Sequence, residues 1–176
     1  MCRTNSIPPA EVDHADAAAF AAKLAALAAM PQQIEALRAS IPRALWKRGA
    51  GNGKFSIHEH LCHLRDIEIE AYRARIERML SEETPVLADL DGARLARERN
   101  YHRQDMETAG IAWAAIRADL LRRLADLTPA ERQRPGVMEG VGPISIDGLV
   151  EMMLAHDREH REEIAALRDE LTGLSD

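Results

Sequence analysis

Aromatic residues are scarce in this chain: six among 176. Basic charge is not in excess either, with 23 Lys and Arg against 29 Asp and Glu and a formal net charge of −6. A nucleic-acid-binding surface commonly joins a basic face to aromatic stacking platforms, and neither is available here. Cysteines number two, Cys2 and Cys62. That is too few for a disulfide framework, so both are expected to be reduced thiols in a cytoplasmic protein. No uninterrupted apolar run reaches the ~18 residues of a membrane span. The opening Met-Cys-Arg-Thr-Asn-Ser lacks the apolar stretch of a secretory signal. Strand-like alternation of any length is missing as well.

What remains is a helical chain. Hydrophobic residues make up 46% and charged ones 30%, a balance that supports a packed core rather than disorder. The length suits one domain over 1–176, with its core at about 34–171 and residues 1–12 as a loose N-terminal segment. Four long helical segments are expected. The first, about Asp13 to Ser40, is alanine-rich, the best helix-forming composition; Pro31 within it should start a new turn or a kink. The second, about Ile57 to Leu80, opens with Ser56 and Glu59 at capping-box spacing. The third, about Asp105 to Leu127, offers Ile111, Ala115, Ala118, Leu121 and Leu124 as a buried face. The fourth, about Ile146 to Leu171, follows Ser145 as N-cap. A short helical piece is expected within 92–100, and Thr128-Pro129-Ala130-Glu131 forms a second capping box. Four amphipathic helices without strands predict an all-α four-helix bundle. The long connection between the second and third helices leaves the helix order open.

The chemistry lies in the histidines. His156 and His160 are four residues apart, so they stack on one helix face, where two imidazoles can grip one ion. The apolar stripe of the fourth segment has a gap between Met153 and Ile164. Counting about 100° per residue, His160 continues that stripe and His156 lies beside it. Two imidazoles facing a core repel when protonated and need partners when neutral. A metal ion meets both needs. An isolated His-x-x-x-His is nonetheless a weak motif, and a third ligand is needed. The second segment offers His58, His60 and His63. Its stripe of Leu64, Ile67 and Ala71 puts His60 near the centre, His63 at the edge and His58 elsewhere. Spacing therefore leaves His60 and His63 both open and mildly favours His60. Cys62 lies about 100° around the helix from His63 and is a poor co-ligand.

The run Phe55-Ser56-Ile57-His58-Glu59-His60-Leu61-Cys62-His63, the stretch Gly142 to Leu149 and the segment His156-Asp157-Arg158-Glu159-His160 together resemble the DinB-like (YfiT-like) superfamily of metal-dependent enzymes. Thr84-Pro85-Val86-Leu87, Asp91-Gly92, Asn100-Tyr101 and the helix carrying Arg117, Leu121 and Leu124 resemble it too. The likeness spans roughly Ile34 to Leu167. Phe55 stands where the family commonly has tryptophan, and Ile111 and Trp113 lie where a phenylalanine is common. The resemblance implies three metal ligands, His63, His156 and His160. It also implies a four-helix bundle of the DinB/YfiT-like type and a homodimer.

Three imidazoles with an open fourth position describe a catalytic metal site, and zinc or nickel would accept such nitrogen ligands. The expected function is a metal-dependent enzyme acting on a small-molecule substrate. One reading is an S-transferase or isomerase using a low-molecular-weight thiol. A second is a hydrolase using metal-activated water, and a third is a non-enzymatic, metal-binding dimeric domain. Glu59 could orient His63, but the capping box competes for its carboxylate. Asp157 could pair with Arg161 on the surface. Tyr101 and Asp91 lie in the long loop, within possible reach of the site mouth.

Overall fold

The computed structural model describes residues 9–49, 51 and 54–173. The long helices are α1 (Pro9–Ser40), α2 (Ile57–Ile67), α3 (Ala74–Ser81), α5 (Met106–Ala125) and α7 (Ile146–Thr172). Shorter ones are α4 (Gly92–Glu98) and α6 (Pro129–Arg132). A π-helical turn, Glu68–Arg73, joins α2 to α3 into one continuous helix. The expected loose segment falls mostly on residues 1–8, outside the described residues, as does Cys2. Both capping boxes form: Ser56 with Glu59 starts α2, and Thr128 with Glu131 starts α6. Ser145 caps α7 through its hydroxyl and the Gly148 N–H. α1 does not restart at Pro31. No helix among the described residues is long and apolar enough to cross a membrane.

Around the bundle, α1 packs on α5 and α7, and α2 packs on the same two helices. Consecutive helices α1 and α2 are therefore diagonal to each other. This is not a simple up-and-down order. The diagonal arrangement sets α2 against α7, the two helices that carry the histidines of interest.

Three short strands were not anticipated. β1 (Val86–Leu87) pairs parallel to β2 (Pro135–Met138), which pairs antiparallel to β3 (Gly142–Ser145). They are two to four residues long, and β2 and β3 contain Pro and Gly, too little to show period-two alternation. The β2–β3 turn passes through Gly140 and Gly142 at φ +76° and +101°, where a side chain would be strained. β3 runs directly into the Ser145 cap and so sets where α7 begins.

The core divides into two apolar halves. One gathers Leu27, Ile76, Leu120, Leu124, Leu149 and Met153. The other gathers Ile34, Ile57, Leu61, Trp113, Ile164 and Leu167. Between them on α5 stands Arg117, with its side chain 2% exposed. Its Nε and Nη2 donate to Glu68 at 2.6 Å each, its Nη1 donates to Asp157 at 2.6 Å, and Nη1 also reaches the Leu27 carbonyl at 3.2 Å. Burial works against the guanidinium, but the bonds and charges of Glu68 and Asp157 outweigh it and hold its pKa above the ordinary arginine value.

Arg117 also explains why the buried face of α5 differs from expectation. Leu121 and Leu124 are buried as expected, and Ala109, Trp113, Arg117 and Leu120 face inward with them, while Ile111 is 73% exposed and Ala115 and Ala118 are exposed too. A periodicity built on apolar residues alone misses a stripe with arginine at its centre. Asp157 is likewise corrected: it is buried against Arg117 and not paired with Arg161 on the surface.

Removing one partner of such a cluster leaves uncompensated buried charge. Arg117→Met is expected to destabilise the chain by about 3–5 kcal/mol, read as a fall in urea midpoint. A change below about 1 kcal/mol would contradict this account of the bundle's centre.

Candidate metal centre

The π turn is placed just after His63. One wide turn adds a residue to the helix, and such turns recur at functional sites. Glu68 enters the Arg117 cluster from the start of this turn, and Tyr72, near its end, sets its ring 5.8 Å from the His156 ring. No periodicity in the sequence signals it.

On α7, His156 Nε2 and His160 Nε2 lie 3.0 Å apart. From α2, His63 Nε2 comes within 3.3 Å of His156 Nε2. Donor nitrogens of all three rings fall within 4.8 Å of one another, a grouping able to hold a metal ion. Two nitrogens about 2.0–2.1 Å from a tetrahedral ion stand about 3.3 Å apart, so the separations fit. Each neutral imidazole carries one N–H and one lone pair. Without a cation, His156 Nε2 must serve two neighbouring nitrogens with one proton or one lone pair. A cation accepts all three lone pairs together.

Burial, followed by repulsion from neighbouring imidazoles, pushes the His63 pKa down to about 3 and that of His160 to about 2. Both rings are neutral at pH 7, the form that ligates. His63 Nδ1 and His156 Nδ1 are buried without a hydrogen-bond partner among the described residues.

His60 and His63 both reach the cluster, from different sides. His60 is 3% exposed, and its Nδ1 lies 2.9 Å from His160 Nδ1, the nitrogen turned away from the other two rings. Glu163 Oε2 stands 3.3 Å from the same His160 nitrogen. His60, His160 and Glu163 form a second grouping of possible ligand atoms. His58 is buried as well, and its Nε2 meets the Tyr101 carbonyl at 2.9 Å.

The remaining candidates have structural roles. Glu59 is occupied by its capping box, accepting from the Ser56 N–H at 2.9 Å and the Ser56 hydroxyl at 2.8 Å. Asp91 caps α4 by accepting from the Arg94 N–H. Tyr101 is fully buried beneath the loop. The Cys62 thiol is buried too, with its pKa pushed up to about 11 by burial, and is no nucleophile at neutral pH. Gly92 at the start of α4 lies over the His63 ring: a Cβ there would meet His63 Cε1 at 2.6 Å. That close approach is legible only in three dimensions.

The sequence profile of the DinB superfamily matches residues 26–164. The chain belongs to this superfamily. Among solved structures, this DinB-superfamily chain is similar in fold to YfiT from Bacillus subtilis, described as a probable metal-dependent hydrolase with an unusual four-helix bundle topology. The TM-score is 0.79 at 16% identity, covering 99% of this chain and 95% of that one. The diagonal placement of α1 and α2 is thus set within a shared DinB-type bundle. No curated protein matches the chain in sequence.

Unfolded imidazoles take up protons near pH 6.5, whereas His60, His63 and His160 resist until about pH 4, 3 and 2. Each group's folded pKa is depressed, so its stabilising effect is present above about pH 6.5 and lost as pH falls below it. The metal-free chain should lose about 1 kcal/mol per buried imidazole between about pH 7 and pH 5.5. Urea titrations at the two pH values check this; equal midpoints would contradict it.

Proposed function

We propose that His63, His156 and His160 hold a divalent transition ion, zinc or nickel, and that the chain is a metal-dependent hydrolase of a small molecule. The observation that carries this reading is the convergence of three Nε2 atoms from α2 and α7, two pairs of them 3.0 and 3.3 Å apart. Three protein nitrogens leave a coordination position open, as catalytic rather than closed structural sites do. Bound there, such an ion draws the pKa of a coordinated water toward about 7 and so supplies a nucleophile near neutral pH. The fold neighbour's description as a probable metal-dependent hydrolase favours water over a thiol as the attacking group.

The chain's own residues hold and shape the site. The Arg117 cluster anchors Asp157, next to His156, to the π turn that follows His63. Phe55 packs its ring 5.3 Å from that of His63 and 5.6 Å from that of His60. A cavity of about 510 Å³ reaches His160 and His60 and opens between Phe55, Ala93 and Leu167. That volume suits a small organic substrate. A larger groove, about 610 Å³, lies between α1 and α5 but has no histidine or cysteine in its walls.

The wild-type chain should bind one zinc or nickel ion. His156→Ala should weaken binding more than about 100-fold, beyond the loss of an outer partner. A variant that keeps the same ion with unchanged affinity overturns the triad. Turnover of activated esters or amides by the loaded chain should need no added thiol. Turnover only with a small thiol would favour thiol transfer instead.

Gly92→Ala should lower metal affinity about tenfold with the helical circular dichroism unchanged, because the new methyl must displace His63. Unchanged affinity would show that His63 moves without cost to the site.

A further inference from the structure

His60 is absorbed neither by the capping of α2 nor by the proposed ligand set, yet it is as buried as the ligands. Its role follows from proton placement along a short chain of atoms. If His160 gives its Nε2 lone pair to an ion, its single proton sits on Nδ1. Two atoms lie near that N–H, His60 Nδ1 at 2.9 Å and Glu163 Oε2 at 3.3 Å, and only His60 Nδ1 is aligned for a hydrogen bond. His60 must then accept through Nδ1, and its own proton sits on Nε2.

That Nε2 has no protein partner among the described residues. Glu163 Oε2 is 3.9 Å away, beyond hydrogen-bond reach. His60 Nε2 is not among the buried polar atoms that lack a partner, so its N–H is open to the cavity and free for a ligand's acceptor. His60 lines the 510 Å³ cavity described above.

We infer that His60 presents an Nε2–H donor to the substrate in this cavity and that the substrate offers it a carbonyl-type oxygen. This rests on the metal reading above, because the ion is what assigns the His160 proton. The donor orients the substrate in the cavity through that acceptor.

The cavity limits the rest of the molecule. Its apolar lining, Phe55, Ala93, Ala166 and Leu167, takes an apolar body. Its rim carries the carboxylates of Glu162, Glu163 and Glu170 against the single ammonium of Lys54. The divalent ion proposed at His160 offsets that net negative charge, so the rim does not fix the sign of a substrate tail. The substrate class is therefore a compound with an apolar body and one carbonyl acceptor.

The test uses the full chain labelled with nitrogen-15 at histidine and loaded with zinc alone. Long-range proton–nitrogen correlation spectra separate the two neutral tautomers of each ring. The expected spectrum shows His160 protonated at Nδ1 and His60 at Nε2. Zinc bound with His60 protonated at Nδ1 overturns this inference and leaves the metal reading standing. Two zinc ions per chain, the second on His60, His160 and Glu163, overturn it as well. No zinc bound at all overturns both.

Benzamide, an apolar ring with one carbonyl acceptor, then probes the cavity in the zinc-loaded chain. It should shift the His60 Nε2 resonance. No shift overturns the substrate class.

Discussion

A single guanidinium at the middle of the bundle ties its halves together. Arg117 draws Glu68 from the π turn, Asp157 from α7 and the Leu27 carbonyl from α1 onto one side chain of α5. Every helix of the bundle thus contributes to one polar layer between two apolar clusters. Apolar packing alone could tolerate a small slide of α7 along α2. A bidentate bond on one carboxylate and a 2.6 Å bond on the other could not, because each is short and directional and water is excluded.

The histidine cluster sits beside that layer and depends on its register. Asp157 and His156 are chain neighbours, so holding the first limits the second. On the other side, Glu68 begins the π turn five residues after His63. The same three ionic groups therefore set the relation of the α7 histidine pair to the third imidazole. Burial makes two of those rings, His63 and His160, poor bases, which leaves their lone pairs free at neutral pH.

Much of this was legible in the residues. The four helical stretches were bounded within a few residues, and where caps fix their starts these are local: Ser56 with Glu59, and Ser145, act on N–H groups three residues away. The His156–His160 pair was legible for the same reason, since spacing on one helix is a local property. The choice between His60 and His63 was not. Both lie on the inward side of α2, and the partner helix determines which nitrogen meets which. Strands of two to four residues left no pattern, and the first half of the α5 face was misread because its central buried residue is an arginine.

By itself, the sequence determined helix content, helix ends and the presence of an inward-facing histidine pair, all consequences of short-range spacing and capping. Only the tertiary structure decided that α1 and α2 lie diagonally, that Asp157 belongs to Arg117, and that His60 and His63 approach His160 from different sides. Those relations join groups from about 40 to 100 residues apart in the chain. Side-chain packing between separate helices sets them, and no periodicity along one helix encodes it.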